Sequence, residues 1–294
     1  MRTLLLASRS MSEPGRLTRD QKQAFERDGF LVLEGFASAE EVRALRARAN
    51  ELVDAFDPAE VVSIFSTKQQ TRTSDDYFLE SGDQVRCFFE EEAFDAEGNL
   101  RQAKELSINK IGHALHDLDP VFREFSHSPK LGAVAAGVGM RDPLVLQSMV
   151  IFKQPRIGGE VSLHCDATFL YTEPVTVHGF WLALEDATRE NGCLWALPGD
   201  HSIPIKERFH RRPEGGTAFE VFDATPYPTG GLVPLEAPAG TLVVLHGLLP
   251  HYSAPNRSDR SRYAYTLHAI ERDARYPADN WLRRSPELPL RGFA

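Results

Sequence analysis

A histidine and an aspartate two residues apart, His164 and Asp166, lie in the largely apolar stretch GGEVSLHCDATFLY, which spans residues 158–171. Neither an imidazole nor a carboxylate tolerates burial without a polar partner. On an extended strand, residues two apart point to the same face. The spacing therefore predicts that both side chains address one spot, as a proton relay, a hydrogen-bonded pair or part of a metal site.

A metal site needs a third ligand, and histidine is the commonest candidate. His246 ends the apolar stretch TLVVLHG, and His251 follows in PHYS, so both lie about 80 to 85 residues after Asp166. Neighbouring strands of a barrel can bring such distant residues together. Two imidazoles and one carboxylate on one face of an ion are the ligand set of non-haem Fe(II) oxygenases. From spacing alone, both distal histidines remain candidates.

An arginine, Arg262, opens the β-rich stretch RYAYTLHAI, where burial is costly unless the guanidinium meets an anion. A guanidinium binds a carboxylate through two parallel hydrogen bonds, and the hydroxyl of Ser253 can add another. A dicarboxylate could then chelate the metal with one end and bind this pair with the other. The alternative is a local ion pair between Arg262 and an acid such as Asp259.

The bulk composition is that of an ordinary globular protein of 294 residues, 42% of them hydrophobic, with a net charge of −9. The acidic balance excludes a nucleic-acid partner or an anionic membrane as the expected ligand. Apolar runs are too short to span a bilayer. The three cysteines, Cys87, Cys165 and Cys193, are widely spaced and form no zinc motif, which favours a reducing compartment and a cytoplasmic location.

The chain is expected to form one domain over residues 18–294, preceded by a flexible extension over residues 1–17. The extension has no acidic residue before Glu13, as in organelle-targeting segments, although its apolar run is shorter than that of a secretory signal. The alternative to a targeting segment is an unstructured extension that lies upstream of the natural start at Met11.

The N-terminal third of the chain reads as helical with one short strand, FLVLEGF. Capping boxes at Thr18 and Ser38 predict two helix starts, and helices are also predicted in SINKIGHALHDLDP and SPKLGAVAAGVG. Residues 57–105 are polar and predict a surface excursion that could act as a lid.

After Pro143 the sequence favours strands, in LVLQSMVIFKQ, VHGFWLALEDA, CLWALPG, GTLVVLHG and RYAYTLHAI. Residues 204–233 are rich in proline and glycine and predict a long surface loop. The expected fold is mainly β with flanking α-helices, arranged as an antiparallel sandwich or barrel.

Several stretches together carry a family resemblance: FLVLEGF, DYFLESGDQVRCFFE, SINKIGHALH, QSMVIFKQPRIGGEVSLHCDATFLYTEP, LEDATRENGCLWALPGDHS, LHGLLPHYSAPNRSDRSRYAYTLH and NWLRRSPELP. In this order, from about residue 18 to 290, they resemble the phytanoyl-CoA dioxygenase family, and most closely its domain-containing protein 1 branch. The resemblance implies a double-stranded β-helix, a jelly-roll or cupin-like core. It also implies a dioxygenase that uses Fe(II), 2-oxoglutarate and O2.

Position by position, the resemblance makes His164, Asp166 and His251 the iron ligands and sets His246 aside. Some relatives carry a small residue in place of the aspartate and halogenate, so Asp166 argues for hydroxylation. No catalytic residue beyond the metal ligands is implied, because the oxidation chemistry belongs to the metal and the co-substrate.

The resemblance places 2-oxoglutarate against Arg262 and Ser253 and prefers Arg262 to Arg260, its neighbour in SDRSR. The same pocket is expected to be lined by Lys110, Met149 and Trp181. The insertion at residues 204–233 matches the family least, so no role is carried over to it.

The implied activity is hydroxylation of an unidentified small organic substrate, with release of succinate and CO2. Candidate substrate contacts are the aromatic residues Phe152, Phe169, Tyr171 and Trp195, which could equally be core. One stretch is basic and comprises Lys206, Arg208, Arg211 and Arg212. It could either bind an anionic substrate such as a CoA thioester or form a solvated loop.

Two other functions remain open from the sequence, a cupin-like zinc metallohydrolase and a non-catalytic 2-oxoglutarate-binding sensor. His113 and His116 could mark a second metal site or make ordinary hydrogen bonds. The expected partner is a small-molecule substrate, without nucleic acid or membrane, and the sequence assigns no oligomeric state.

Overall fold

The computed structural model describes residues 14–59, 61–65, 75–228 and 230–293. Most of the expected N-terminal extension, residues 1–13, lies outside the described residues. The helices are α1 Arg19–Asp28, α2 Ala39–Ala55, α3 Asp76–Leu79, α4 Leu115–Leu118, α5 Pro120–Ser126, α6 Pro129–Gly137 and α7 Asp166–Phe169. The first strands are β1 Phe30–Leu33, β2 Val85–Phe89, β3 Ile108–His113, β4 Pro143–Ile151, β5 Val161–His164, β6 His178–Ala183 and β7 Leu194–Ala196. The later strands are β8 Glu207–Arg211, β9 Thr217–Val221, β10 Val233–Leu235, β11 Leu242–His246, β12 His251–Ser253, β13 Ala264–Glu271 and β14 Arg291–Gly292.

Two antiparallel sheets form the body of the protein. The larger sheet has the order β1-β11-β6-β13-β4-β3-β2, and β14 also pairs with β4. The smaller sheet has the order β10-β7-β12-β5, and β8 and β9 form a separate hairpin. This arrangement confirms the expectation of a mainly β protein with flanking helices.

The strand β11 shows how the sheets and helices are layered. Its alternate residues Val243 and Leu245 belong to a buried cluster that includes Leu194 of the smaller sheet. The intervening residue Val244 belongs to another buried cluster, which includes Leu45 of α2. Because successive side chains of a strand point to opposite faces, one strand packs against the second sheet and against the helices at once.

Both predicted capping boxes are confirmed. The side chain of Thr18 accepts a hydrogen bond from the backbone N–H of Gln21, and the Gln21 side chain accepts one from the N–H of Thr18. Ser38 and Glu41 repeat this exchange at the start of α2. These contacts satisfy backbone donors that the first helical turn leaves free.

The predicted helix across residues 108–113 is wrong, because this stretch is the strand β3, hydrogen-bonded between β2 and β4. All six of its residues are buried. A strand covered on both faces lacks the alternation of a half-exposed strand, and a short apolar run then does not distinguish strand from helix. The helix begins only at Leu115, in α4.

Two predicted surface segments also contain regular structure. Residues 57–105 include α3 and β2, and β2 forms the edge of the larger sheet with Phe88 and Phe89 fully buried. The predicted loop at residues 204–233 contains the hairpin of β8 and β9, in which Phe209 pairs with Phe219. These short strands were not predicted, because each is short and lies among polar, proline-rich or glycine-rich residues.

Within the described part of the chain, no helix is both long and apolar enough to cross a bilayer. Cys87, Cys165 and Cys193 are all free and buried.

A buried carboxylate fastens the C-terminal segment to the body of the protein. Asp117 of α4 has a fully buried side chain and forms ion pairs with Arg284 and Arg291. Arg284 also donates to the carbonyl oxygen of Leu146 on β4, over 3.1 Å. A buried carboxylate in this position needs both cations, because desolvation without an opposite charge is expensive.

We expect Asp117→Asn to lower the free energy of unfolding by about 3–5 kcal/mol, since it strips the charge that compensates two arginines. The matched control is Asp273→Asn, which removes an acid from the exposed pair Arg141–Asp273. That change should cost no more than about 1 kcal/mol. Urea denaturation of both variants measures the difference, and equal losses would contradict a structural role for Asp117.

Candidate metal centre and adjoining cavity

The register of two short strands brings two of the predicted ligands together. His164 ends β5, His251 begins β12, and the two residues face each other directly in the antiparallel pair. Their ring centroids are 4.4 Å apart. Side chains directly opposite on one face of an antiparallel pair are close neighbours, which explains how residues far apart in sequence meet here.

Asp166 reaches the same point by a different route from the one predicted. The strand ends at His164, Cys165 remains extended, and Asp166 is the first residue of α7. The prediction of one extended strand through Asp166 is therefore wrong. Its carboxylate nevertheless lies between the imidazoles, with Oδ1 at 3.9 Å from His164 Nε2 and 3.7 Å from His251 Nε2.

Backbone carbonyls orient both imidazoles. The Nδ1 atom of His164 lies 2.7 Å from the carbonyl oxygen of Ser162, and Nδ1 of His251 lies 2.9 Å from that of Leu249. When Nδ1 donates its proton to a carbonyl, Nε2 carries the lone pair, as a metal-binding histidine requires.

The donor set fits a divalent transition metal. One ligand atom from each of His164, Asp166 and His251 lies within 4.8 Å of the others. Asp166 Oδ2 is buried and has no hydrogen-bond partner among the residues described here. A buried carboxylate oxygen without a donor is costly unless a cation approaches it. Nitrogen and oxygen ligands in this ratio suit Fe(II).

The electrostatics favour the ligating forms of these groups. Burial lowers the pKa of His164 to about 4, so the imidazole is neutral at neutral pH. Burial raises the pKa of Asp166, but the imidazoles of His268 and His251 outweigh it, and the pKa lies below its usual range. The carboxylate is therefore ionised.

Two residues that the sequence analysis missed hold Asp166 in place. Gly179 of β6 lies against the carboxylate, where an added Cβ would stand 2.6 Å from Asp166 Oδ2. His268 of β13 is buried, with Nε2 3.3 Å from Asp166 Oδ1. A glycine inside a strand and a histidine inside an apolar strand were the available signals, since each is unfavourable there without a partner.

His246, the other candidate for the distal ligand, lies elsewhere. Its ring packs against His178, with centroids 5.1 Å apart, and its Nδ1 accepts a hydrogen bond from the N–H of Leu248 over 3.2 Å.

A cavity of about 300 Å³ adjoins the three ligands. It is lined by all eight predicted site residues: Lys110, Met149, His164, Asp166, Trp181, His251, Ser253 and Arg262. Its lining is otherwise largely apolar, as is usual for a small-molecule site with a few orienting polar groups.

Arg262 is buried and keeps an unused donor. Its Nε donates to the carbonyl oxygen of Gly192 over 3.2 Å, and Nη2 contacts Ser253 Oγ at 3.4 Å. No hydrogen-bond acceptor for Nη1 is present among the described residues. Burial lowers the pKa of Arg262 to about 10, so the side chain stays charged at neutral pH. A charged, desolvated guanidinium at a cavity is suited to bind a carboxylate.

The alternative of a local pair between Arg262 and Asp259 is wrong. Asp259 Oδ1 lies 2.7 Å from Nη2 of Arg156, and both side chains of that pair are more than 70% exposed. Arg260, the competing arginine, is exposed.

Two buried lysines line the same cavity as Arg262. Burial lowers the pKa of Lys110 to about 7, and its Nζ lies 3.1 Å from the centre of the Phe65 ring. Lys153 was not predicted from the sequence, and its Nζ donates to the carbonyl oxygens of Gly159 and Ala254, each over 2.7 Å. Burial likewise lowers the pKa of Lys153 to about 7.

The two histidines considered for a second metal site make hydrogen bonds instead. Nδ1 of His113 lies 2.7 Å from Ser81 Oγ, and Nδ1 of His116 lies 2.8 Å from Ser148 Oγ. They do not share a helix, since His113 ends β3 and His116 belongs to α4.

Of the four aromatic residues considered for substrate contact, Phe169 lines the cavity. Phe152 is fully buried in the core and packs against Tyr263. Trp195 stacks on Tyr252, and Tyr171 packs near Phe222.

We expect Gly179→Ala to weaken the binding of Co(II) by about 10- to 100-fold, because the new Cβ displaces the Asp166 carboxylate. The control is Gly230→Ala, where an added Cβ meets open space. Anaerobic titration of Co(II), followed by its visible absorption, measures both affinities, and thermal melts verify the folds. A Gly179→Ala protein with the affinity of the unaltered chain would contradict this account of the centre.

Known proteins resemble this chain in sequence and in fold. Residues 25–264 match the sequence model of the family described as "Phytanoyl-CoA dioxygenase (PhyH)". A protein of Arabidopsis thaliana named phytanoyl-CoA dioxygenase is 49% identical over 278 residues, which cover 94% of this chain and 96% of the relative. Phytanoyl-CoA dioxygenase domain-containing protein 1 of Bos taurus is 49% identical, with 93% and 97% covered.

Solved structures share the fold. One is described as the non-heme alpha ketoglutarate dependent carbocyclase SnoK from nogalamycin biosynthesis, with a TM-score of 0.64, 19% identity, and coverage of 93% of this chain and 96% of that one. Another, EctD from S. alaskensis with 2-oxoglutarate and 5-hydroxyectoine, has a TM-score of 0.61, 20% identity, and coverage of 94% and 90%. These matches confirm the cupin-like jelly-roll core.

Proposed function

The chain belongs to the phytanoyl-CoA dioxygenase family, and we propose that it hydroxylates a small organic substrate with Fe(II), 2-oxoglutarate and O2, releasing succinate and CO2. The observation that carries this proposal is one cavity that joins a His-Asp-His triad to the buried, charged Arg262. The descriptions of SnoK and EctD, which name alpha ketoglutarate or 2-oxoglutarate, support it.

Each predicted site residue has a role in this proposal. His164 Nε2, His251 Nε2 and the Asp166 carboxylate hold Fe(II), while Arg262 and Ser253 bind the far carboxylate of 2-oxoglutarate. Lys110, Met149 and Trp181 line the co-substrate pocket. When bound, the metal and the co-substrate supply the oxidising power for hydroxylation of a C–H bond.

The protein itself contributes position and a dry environment. The Arg262 guanidinium lies over the ring of Trp181, with Cζ 5.3 Å from the ring centre. This contact helps to orient the guanidinium. The largely apolar lining lowers the local dielectric constant, which would strengthen an ion pair between Arg262 and a bound carboxylate. No general base is proposed beyond the metal ligands.

The two alternatives predict different behaviour. A zinc hydrolase would need a water-activating base and would leave Arg262 without a substrate carboxylate to bind. A non-catalytic sensor would bind 2-oxoglutarate without consuming it. Anaerobic reconstitution with Fe(II) and 2-oxoglutarate, followed by air, separates all three. The oxygenase should develop a weak visible charge-transfer band and then form succinate, whereas tight zinc binding without 2-oxoglutarate consumption would favour the hydrolase.

The cytoplasm is the proposed location, supported by the three buried free thiols. The proposed partner is a small-molecule substrate, without nucleic acid or membrane, as the net charge of −9 favours. The family name does not make phytanoyl-CoA the substrate.

We expect Asp166→Ala to abolish both Fe(II) binding and succinate formation while the fold stays intact, because one of three ligands is lost. Iron content after anaerobic loading, together with a thermal melt, tests this. Stoichiometric iron in the variant would remove Asp166 from the ligand set.

We expect Arg262→Ala to retain iron but to raise the concentration of 2-oxoglutarate that gives half-maximal turnover by on the order of 30-fold or more. Removing one partner of a buried charged pair typically costs about 2–5 kcal/mol. Arg260→Ala is the control, since its side chain is exposed and two residues away. An unchanged requirement in Arg262→Ala would show that another group, such as Lys110, binds the co-substrate.

A further inference from the structure

The β8–β9 hairpin, to which the family resemblance assigned no role, forms one wall of the cavity. On β8, Glu207 and Phe209 are two residues apart and share a face, and both line the cavity. Phe219 of β9 pairs with Phe209 and lines the cavity beside it, with ring centroids 5.0 Å apart.

Aromatic rings connect this wall to the metal centre. Phe169 packs edge-on against His164, with centroids 5.6 Å apart, and lies 5.7 Å from Phe209. Phe169 is thus the link between an iron-ligand candidate and the hairpin. A substrate that lies along these rings would have one end near the metal and the other near Glu207.

The Glu207 carboxylate has no hydrogen bond or ion pair with any residue that the structure describes. It is partly buried, and desolvation raises its pKa. A partly buried carboxylate beside aromatic rings, without a counter-charge among the described residues, is free to bind a cationic ligand in the cavity.

The cations beside Glu207 in sequence are already bound to other acids. Lys206 Nζ lies 2.9 Å from Asp223 Oδ2, and Arg208 forms an ion pair with Asp279. These two cations of the basic stretch are therefore matched by acids within the protein, whereas Arg211 donates to the backbone carbonyl oxygens of Trp281 and Leu79.

We propose that the substrate of this enzyme carries a cationic nitrogen, an amine or ammonium group, which binds Glu207 among the rings of Phe169, Phe209 and Phe219. The inference rests on the proposed oxygenase function and names the class of its substrate. A carboxylate supplies the opposite charge, and aromatic faces attract cations through their quadrupoles. An anionic substrate such as a CoA thioester would instead meet like charge at this wall.

The test compares three ligands of equal length, hexylamine, 1-hexanol and hexanoate, on the protein loaded with Fe(II) and 2-oxoglutarate under argon. Hexylamine, like a lysine side chain, is protonated at pH 7. Tryptophan fluorescence measures binding, because Trp281 also lines the cavity. We expect hexylamine to bind at least 10-fold more tightly than either of the other ligands.

Glu207→Gln keeps the shape of the side chain and removes its charge, so the preference for the amine should fall to about 3-fold or less. Glu214→Gln is the matched control, an exposed residue in the turn of the same hairpin, and should keep the full preference. Thermal melts of both variants verify the fold. The comparison of the three ligands on the unaltered protein stands even if Glu207→Gln misfolds.

Amine binding no tighter than alcohol binding, including undetectable binding, would overturn the inference, as would a preference that survives in Glu207→Gln. Consumption of 2-oxoglutarate by the unaltered protein is measured separately. If it proceeds while the amine preference is missing, the substrate class is wrong and the oxygenase function stands. If the preference depends on Glu207 but 2-oxoglutarate is never consumed, the proposed function fails instead.

Discussion

The pairing of β5 with β12 is the constraint on which the site depends. It sets His164 directly opposite His251, so the distance between the two imidazoles is fixed by backbone hydrogen bonds. Asp166 then needs only a short turn after β5 to enter the space between them. A shift of one residue in this register would place one of the two histidines on the opposite face of the sheet, and the three candidate ligands would no longer be close together. The larger sheet makes room for the Asp166 carboxylate at Gly179, which has no Cβ, and contributes the imidazole of His268 beside it.

Unpaired charge is concentrated around the cavity in the part of the chain that the structure describes. Away from the cavity, the buried Asp117 is matched by two arginines. Around the cavity, Arg262 and Lys110 are buried and Glu207 faces apolar rings, each without an ion-pair partner in the described residues. Stability alone does not explain such an arrangement, because burying a lone charge opposes folding. We therefore infer that these groups meet ligand atoms, Arg262 and Lys110 those of a dicarboxylate and Glu207 the proposed nitrogen.

From the family resemblance, the sequence predicted the eight residues that line the cavity, whereas spacing alone left the distal ligand open between His246 and His251. From local chemistry, it predicted the strands with strong β-branched and apolar runs and both helix starts with capping boxes. It failed at β3, because a strand buried on both faces has no alternation to read, and at the β8–β9 hairpin, because turn-forming residues surround two short strands. Gly179, His268 and Lys153 were missed for another reason. Their importance arises from contacts across strands distant in sequence, which only the folded sheet reveals.

The clamp around Asp117 also has a consequence for synthesis of the chain. Arg284 and Arg291 emerge from the ribosome about 170 residues after Asp117, roughly ten to thirty seconds later at ordinary translation speeds. Until then the Asp117 carboxylate has neither arginine to pair with, and its burial is unfavourable. A chain truncated before Arg284 would lack both cations, so the Asp117 carboxylate would stay hydrated rather than enter the interior.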